Sequence, residues 1–246
     1  MIRLDGLSIG YRSGRRLKVI ASDMNALASD GTLTCLVGVN GIGKSTLIRT
    51  VAGFQKPLQG DVSVGIGNET LSVGRMTQLE MSKMISVVLT GRSDMTNLSA
   101  FDVVSFGRSP YTGLLGTLSD DDKSVIQRAM SLVGIEPLAM RDVGSLSDGE
   151  LQKVMIAKAL AQQTPIIVLD EPSAFLDYPS KEELMLLLAE LAHNEGKTIL
   201  LSSHDLDIVR RTADSFWIME RHDDGQVALY QDTAIPYSVT ARLVVG

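Results

Sequence analysis

Apolar and polar positions alternate in places along the first part of the chain, and the alternation predicts strands over "IRLDGLSIGY" (2–11) and "VIASDMNALA" (19–28). Between them Arg12, Arg15, Arg16 and Lys18 read as a solvated hairpin turn. "LTCLVGV" (33–39), "GDVSVGIG" (60–67) and "ISVVL" (85–89) predict further strands. "PIIVLD" (165–170) and "TILLSSHD" (198–205) are continuous apolar runs, the pattern of parallel strands covered on both faces. Helices are expected between these strands. "SKEELMLLLAEL" (180–191) offers a capping box at Ser180 and Glu183, and its leucines recur at helical spacing, as a sheet-covering helix requires.

From about residue 91 to 164 the pattern turns helical, in "SAFDVVSFGR", "SDDDKSVIQRAMSLVG" and "LQKVMIAKALAQQ", broken by glycine, proline and serine. The expected architecture is one α/β domain over residues 1–246, with a helical insertion at 91–164. Met76, Met81, Met84 and Met95 sit at its entrance, where methionine fills irregular core gaps. The tail from 221 to 246 predicts a hairpin and a closing helix or strand.

Composition narrows the picture. A chain of 246 residues with 44% hydrophobic content can bury a substantial core. It contains neither an apolar run of membrane-spanning length nor an apolar leader in "MIRLDGLSIGYRSGRR", so a cytosolic or membrane-peripheral protein is expected. The lone Cys35 excludes an intrachain disulfide and reads as a small buried residue. A net charge of −6 and a pI near 5.1 argue against an extended nucleic-acid surface.

The chemistry concentrates in "LVGVNGIGKSTLIRTVAG" (36–53). A buried strand runs into a loop containing Gly38, Asn40, Gly41 and Gly43, and Lys44, Ser45 and Thr46 then open a helix. Glycines allow backbone angles and close approaches that a Cβ would block. The helix N-terminus presents unpaired N–H groups, and Lys44 adds a full charge, which makes an anion cradle suited to a polyphosphate. The spacing satisfies G-x-x-x-x-G-K-[ST], in which the lysine reaches the β/γ-phosphates and the Ser45 hydroxyl faces Mg²⁺. A plain glycine turn between strand and helix would not need all of these residues together.

"PIIVLDEP" ends a buried strand in two carboxylates. Neighbouring residues there point different ways, which assigns Asp170 to a metal ion and Glu171 to the water beside the terminal phosphate. His204, just past the next apolar strand, is placed to contact the γ-phosphate and hold that water.

The ordered set GVNGIGKST (38–46), LSDGE (146–150), IIVLDEP (166–172), SAFLD (173–177) and SHD (203–205) resembles the nucleotide-binding subunits of ABC transporters over nearly the whole chain. That resemblance implies a RecA-like P-loop core with an N-terminal antiparallel β-subdomain and an inserted helical subdomain. It also implies a head-to-tail homodimer holding two ATP molecules with Mg²⁺. By motif match, Tyr11 would stack on adenine, Asp177 would cross the dimer interface, and Ser147, Gly149 and Glu150 would face the other subunit's γ-phosphate.

Ser147 and Glu150 also form an S-x-x-E capping box, so ordinary helix capping and phosphate binding coexist there. Asp148 and Glu150 replace the glycine and glutamine of the family's usual LSGGQ, and a carboxylate facing phosphate is repulsive unless it turns away. The family's Mg²⁺-sensing glutamine is replaced by Thr90, since Gln78 lies too early in the chain.

"FGRSPYTG" (106–113) and "ALAQQTPIIVLDEPSAFLD" are similar to the ATPases that energise uptake of iron-siderophore, haem and vitamin B12. The resemblance then implies transmembrane permease subunits, an extracytoplasmic substrate-binding protein, no nucleic-acid partner, and a place on the cytoplasmic face of the inner membrane. Two other uses of the same machinery stay open. One is a soluble ABC-type ATPase in iron–sulfur cluster assembly; the other is a weakly hydrolysing regulatory module.

Overall fold

The computed structural model describes residues 1–14, 16–67, 69–89, 97–113 and 116–236. Three continuous apolar runs form the centre of the molecule: β3 (Leu33–Val37), β7 (Ile166–Leu169) and β8 (Thr198–Ser202), every residue of which is buried. Their neighbours are β6 (Ile85–Val88), β9 (Ser215–Arg221) and β10 (Val227–Asp232). The six-stranded sheet runs β10-β9-β3-β8-β7-β6, and all its pairs are parallel except β9 with β10. The tail expected to form a hairpin from residue 221 supplies only β10, and its partner β9 ends at Arg221, where that stretch begins.

Alternate residues of one strand face different layers. Leu33, Cys35 and Val37 join one core, and Leu36 joins the other. Over the second face lie α1 (Lys44–Val51) and a four-stranded antiparallel sheet, order β2-β1-β4-β5, built from β1 (Ile2–Ser13), β2 (Arg16–Ala28), β4 (Gln59–Ile66) and β5 (Glu69–Ser72). The Gln231 amide oxygen accepts the Leu27 backbone N–H at 2.8 Å and joins the two sheets. β5 and the short helix α2 (Gln78–Met84) were not legible in the hydrophobic pattern, because their residues are exposed or only half-buried. Met76, Met81 and Met84 pack against the second core, and Met95 lies outside the described residues.

The first face is covered by α3 (Ala100–Ser105), α4 (Asp120–Leu132), α5 (Asp148–Ala161), α6 (Tyr178–His193) and α7 (Leu206–Thr212). Reciprocal capping boxes open α2, α3, α4 and α5, at Thr77–Glu80, Ser99–Asp102, Ser119–Asp122 and Ser147–Glu150. The box expected at Ser180–Glu183 does not form. Asp177 caps α6, accepting from the Ser180 N–H at 3.1 Å, so the helix starts at Tyr178 with Pro179 in its first turn. Proline lacks the N–H that a first turn leaves unpaired, and this favours the earlier start. Glu183 instead bridges to Lys153 at 2.7 Å.

The "FGRSPYTG" stretch proves to be a packing device. Arg108 is buried and donates to Asp122 Oδ1, the Ala161 carbonyl and Gln163 Oε1, each at 2.8 Å. The Tyr111 ring covers its guanidinium at 4.1 Å and donates its hydroxyl to the Gln162 carbonyl. A Cβ at Gly107 would stand 2.3 Å from the Lys158 carbonyl oxygen, so only glycine fits. Arg108 thereby ties α4 to the end of α5.

The Ser119 hydroxyl first, and then Arg108, hold the Asp122 carboxyl down to about 2. Removing one partner of a buried ion pair leaves the other uncompensated, so Arg108→Ala is expected to cost about 3–5 kcal/mol in urea unfolding. Because the folded Asp122 value lies below its ordinary 3.8, its stabilisation is complete above that value and is lost as pH falls toward 2. Asp122→Asn should flatten the pH dependence of stability in that window.

Candidate nucleotide site

The phosphate loop leaves β3 at the middle of the sheet and enters α1 at Lys44. Gly43 is obligatory: its φ is 121°, and a Cβ would meet Ile20 at 2.4 Å. No acidic residue stands in the first turn of α1, which leaves its N-terminus attractive to anions. Lys44 is 6% exposed, and its ammonium donates to the Gly38 carbonyl at 2.8 Å. It lies 3.6 Å from Glu171 Oε1.

β8 stands between β3 and β7, and its last residue joins the two halves of the chemistry. The Ser202 hydroxyl donates to Asp170 Oδ1 at 2.7 Å and accepts the Glu171 N–H at 2.9 Å. The Ser45 hydroxyl donates to the same Asp170 oxygen at 3.2 Å. The two carboxylates do diverge, although strand alternation is only part of the reason. Glu171 takes the left-handed conformation, φ 48°, which turns it from buried Asp170 toward Lys44 and His204. His204 Nδ1 lies 2.7 Å from Glu171 Oε2, within hydrogen-bond distance.

Lys44, Ser45, Thr46, Asp170, Glu171 and His204 thus line one open cavity of about 660 Å³, with Tyr11, Asn40, Gly41 and Gly43 on its rim. The Tyr11 hydroxyl shares a 3.0 Å hydrogen bond with Thr46 Oγ1, which leans the ring over the loop. Lys18, the cross-strand partner of Tyr11, also lines the cavity with Ile20 and Arg49. Sequence reasoning gave Lys18 only a place in the basic turn and gave Ser202 no part. The serine of "LLSSHD" was the available signal. Burial pushes the Cys35 thiol up, as suits an inert core residue.

Ser147, Gly149, Glu150 and Asp177 do not line this cavity. They gather at a second place, where the N-termini of α5 and α6 adjoin and a Cβ on Gly149 would meet Ser180 at 3.7 Å. Glu150 turns back on its own helix: Oε2 accepts the Ser147 N–H at 2.8 Å and the Ser147 hydroxyl at 2.9 Å. Those bonds, the backbone one first, hold its carboxyl below the usual range. Thr90 lies outside the described residues.

Ser45 and Asp170 supply one neutral and one anionic oxygen side by side. No group of three acidic, histidine or cysteine side chains suited to a metal occurs among the described residues. That donor set fits Mg²⁺, which takes one or two carboxylates and completes its shell with substrate phosphates and water.

Residues 21–174 match the ABC transporter family. Over 212 residues the chain is 36% identical to the probable siderophore transport system ATP-binding protein YusV of Bacillus subtilis, covering 86% of this chain and 74% of that protein. It is 37% identical over 232 residues to the cobalamin import ATP-binding protein BtuD of Halobacterium salinarum, covering 92% of this chain and 56% of that one. The structure of cbiO1 from Clostridium perfringens, part of the ABC transporter complex cbiONQ, superposes with a TM-score of 0.79 at 28% identity, covering 99% of this chain and 92% of that one. The chain therefore belongs to the ABC transporter family. It is an ATP-binding, ATP-hydrolysing cassette with the RecA-like P-loop fold.

Lys44 places a full positive charge in the cavity at the N-terminus of α1. Lys44→Ala is expected to weaken ATP binding by at least about tenfold, the loss of one charge-assisted contact. Equilibrium titration with a fluorescent ATP analogue measures it, and wild-type affinity would reject the phosphate-loop assignment.

Proposed function

We propose that this chain is the ATPase subunit of an importer that takes up an iron chelate (siderophore or haem) or a corrinoid through a separate membrane permease. The observation that carries the reading is Glu171 held between Lys44 and His204 beside the phosphate loop, in a chain whose relatives are named for siderophore and cobalamin import.

Lys44 and Glu171 lie 3.6 Å apart and neutralise one another. A triphosphate at the loop competes for Lys44 and frees Glu171 to take a proton from the attacking water, help worth about 10²–10⁴-fold. His204 holds the other Glu171 oxygen and, from the same edge of the cavity, reaches toward the γ-phosphate. Ser45 and Asp170, with Thr90 as a further candidate, would hold Mg²⁺, which would supply charge neutralisation on the phosphates.

The second cluster, Ser147, Gly149, Glu150 and Asp177, lies away from the phosphate loop of its own chain. That separation supports a homodimer in which it faces the γ-phosphate of the other subunit. No helix among the described residues is long and apolar enough to cross a membrane. On this reading the chain docks on the cytoplasmic face of the inner membrane, and an extracytoplasmic binding protein delivers the cargo.

An open cleft between α2 and α5, lined by Phe54, Met76, Met81 and Lys158, is suited to the permease contact. Phe54 is 63% exposed there. The ammonium of half-buried Lys158 has no hydrogen-bond or ion-pair partner among the described residues, and burial lowers its value.

ATP hydrolysis by the purified chain, with and without membranes carrying its native permease, tests the function. Turnover that rises with the permease is expected, and permease-independent turnover would favour a soluble ATPase. Glu171→Gln should bind ATP, turn over at least about 10²-fold more slowly and accumulate dimers on size exclusion with ATP. Phe54→Asp should keep the solution ATPase rate and lose the permease stimulation.

A further inference from the structure

Five helices open on a side chain that caps its own first turn: Thr77, Ser99, Ser119, Ser147 and Asp177. Asp205 stands at the same position before α7 with a suitable carboxylate, yet it makes no such cap. Its Oδ2 accepts from the Ser173 hydroxyl at 3.1 Å, and its Oδ1 accepts from the Lys181 ammonium at 3.0 Å. The diverted carboxylate joins three segments that carry the site. Asp205 follows His204 directly, Ser173 lies two residues past Glu171, and Lys181 lies in the helix that Asp177 caps.

The surroundings favour a working contact over an incidental one. Lys181 and Asp205 are only 17% and 22% exposed, and Ser173 is buried, so solvent screens the pair weakly. The His204 side chain is nearly half exposed, and its bond to Glu171 is what orients the ring. With so little packing around it, the ring depends on where the backbone at 203–206 is held. That backbone is irregular: the Asp205 N–H donates to the Ser203 hydroxyl, and the Leu206 N–H donates to the His204 carbonyl. A second tie runs between the same helices, since Arg211 pairs with Glu182 at 3.1 Å and donates to the Tyr178 hydroxyl at 2.9 Å. This tie is more exposed and lies farther along α7, so it holds the helices together without fixing residue 204.

We propose that the Lys181–Asp205 ion pair, completed by the Ser173 hydroxyl, positions His204 against Glu171, so that breaking it lowers ATP turnover and leaves ATP binding intact. None of the three residues lines the nucleotide cavity, and they act through the pair that does. The inference rests on the ATPase reading of Glu171 and His204. The same bridge connects the first turn of α6, and so the Asp177 cap, to the segment bearing His204. A displacement at either end would be felt at the other.

The test measures steady-state kcat and KM, equilibrium ATP affinity and the thermal midpoint on the full chain. Lys181→Met should lower kcat by about 10- to 100-fold, the scale of an ångström-size misplacement. KM and ATP affinity should stay within about twofold. Lys181→Arg, which keeps the charge, should recover most of the rate. The Lys181→Met/Asp205→Asn double variant should be no slower than about twofold below Lys181→Met, because the second change breaks a contact already lost. Ser173→Ala keeps the ion pair and should show a smaller loss, again in kcat alone. An unchanged kcat in Lys181→Met would overturn the proposal. So would equal losses in Lys181→Met and Lys181→Arg that merely follow the fall in folded protein. A wild-type chain without turnover would instead overturn the underlying ATPase assignment, which separates the two failures.

Discussion

The structure depends on the parallel packing of β3, β8 and β7, buried on both faces. The phosphate loop follows β3 and the acidic pair follows β7, more than a hundred residues later in the chain. Only the intervening strand β8 aligns them. Its register sets Leu36 opposite Ser202, and Leu201 opposite Leu169, so the three strands end nearly flush. Burying these apolar runs is favourable wherever the strands lie, but parallel strands need long crossovers, and the helices of those crossovers cover the sheet's first face. The flush edge is therefore a product of the core, and the site inherits its precision from packing that touches no substrate.

At that edge the polar groups form a chain in which each has a use before any nucleotide arrives. Ser202 grips Asp170 and the Glu171 N–H, Asp170 takes Ser45, and Lys44 lies between the Gly38 carbonyl and Glu171. Buried charge is costly unless paired, and this arrangement keeps Lys44 and Glu171 compensated. The compensation also sets a trade: a phosphate that claims Lys44 necessarily changes the environment of Glu171.

The acidic substitutions in LSDGE fit the same logic. Glu150 would repel a phosphate if it pointed outward, but it is engaged by its own N-cap, where Ser147 satisfies two of its lone pairs. The glutamate keeps the helix start ordered and turns its charge inward. Arg108 shows the corresponding principle inside the helical layer, where a buried cation is satisfied by a carboxylate, a carbonyl and an amide, and covered by an aromatic ring.

Much of this was legible in the linear chain. The phosphate loop, the acidic pair and the sheet strands have short-range signatures, because glycine geometry, helix capping and apolar runs are local physics. Lys44, Ser45, Asp170, Glu171 and His204, singled out by type and neighbours, line one cavity. Tertiary structure decided the rest. The start of α6 moved to Tyr178, capped by Asp177, because a proline and an earlier cap outcompeted the Ser180–Glu183 pattern. The positive φ of Glu171, the hub role of Ser202 and the diversion of Asp205 to Ser173 and Lys181 arise from contacts between segments about 24 to 32 residues apart. No local pattern encodes such a contact. It exists only once the core has set the strand ends side by side, and there the geometry of neighbours, more than the identity of each residue, determines what a side chain does.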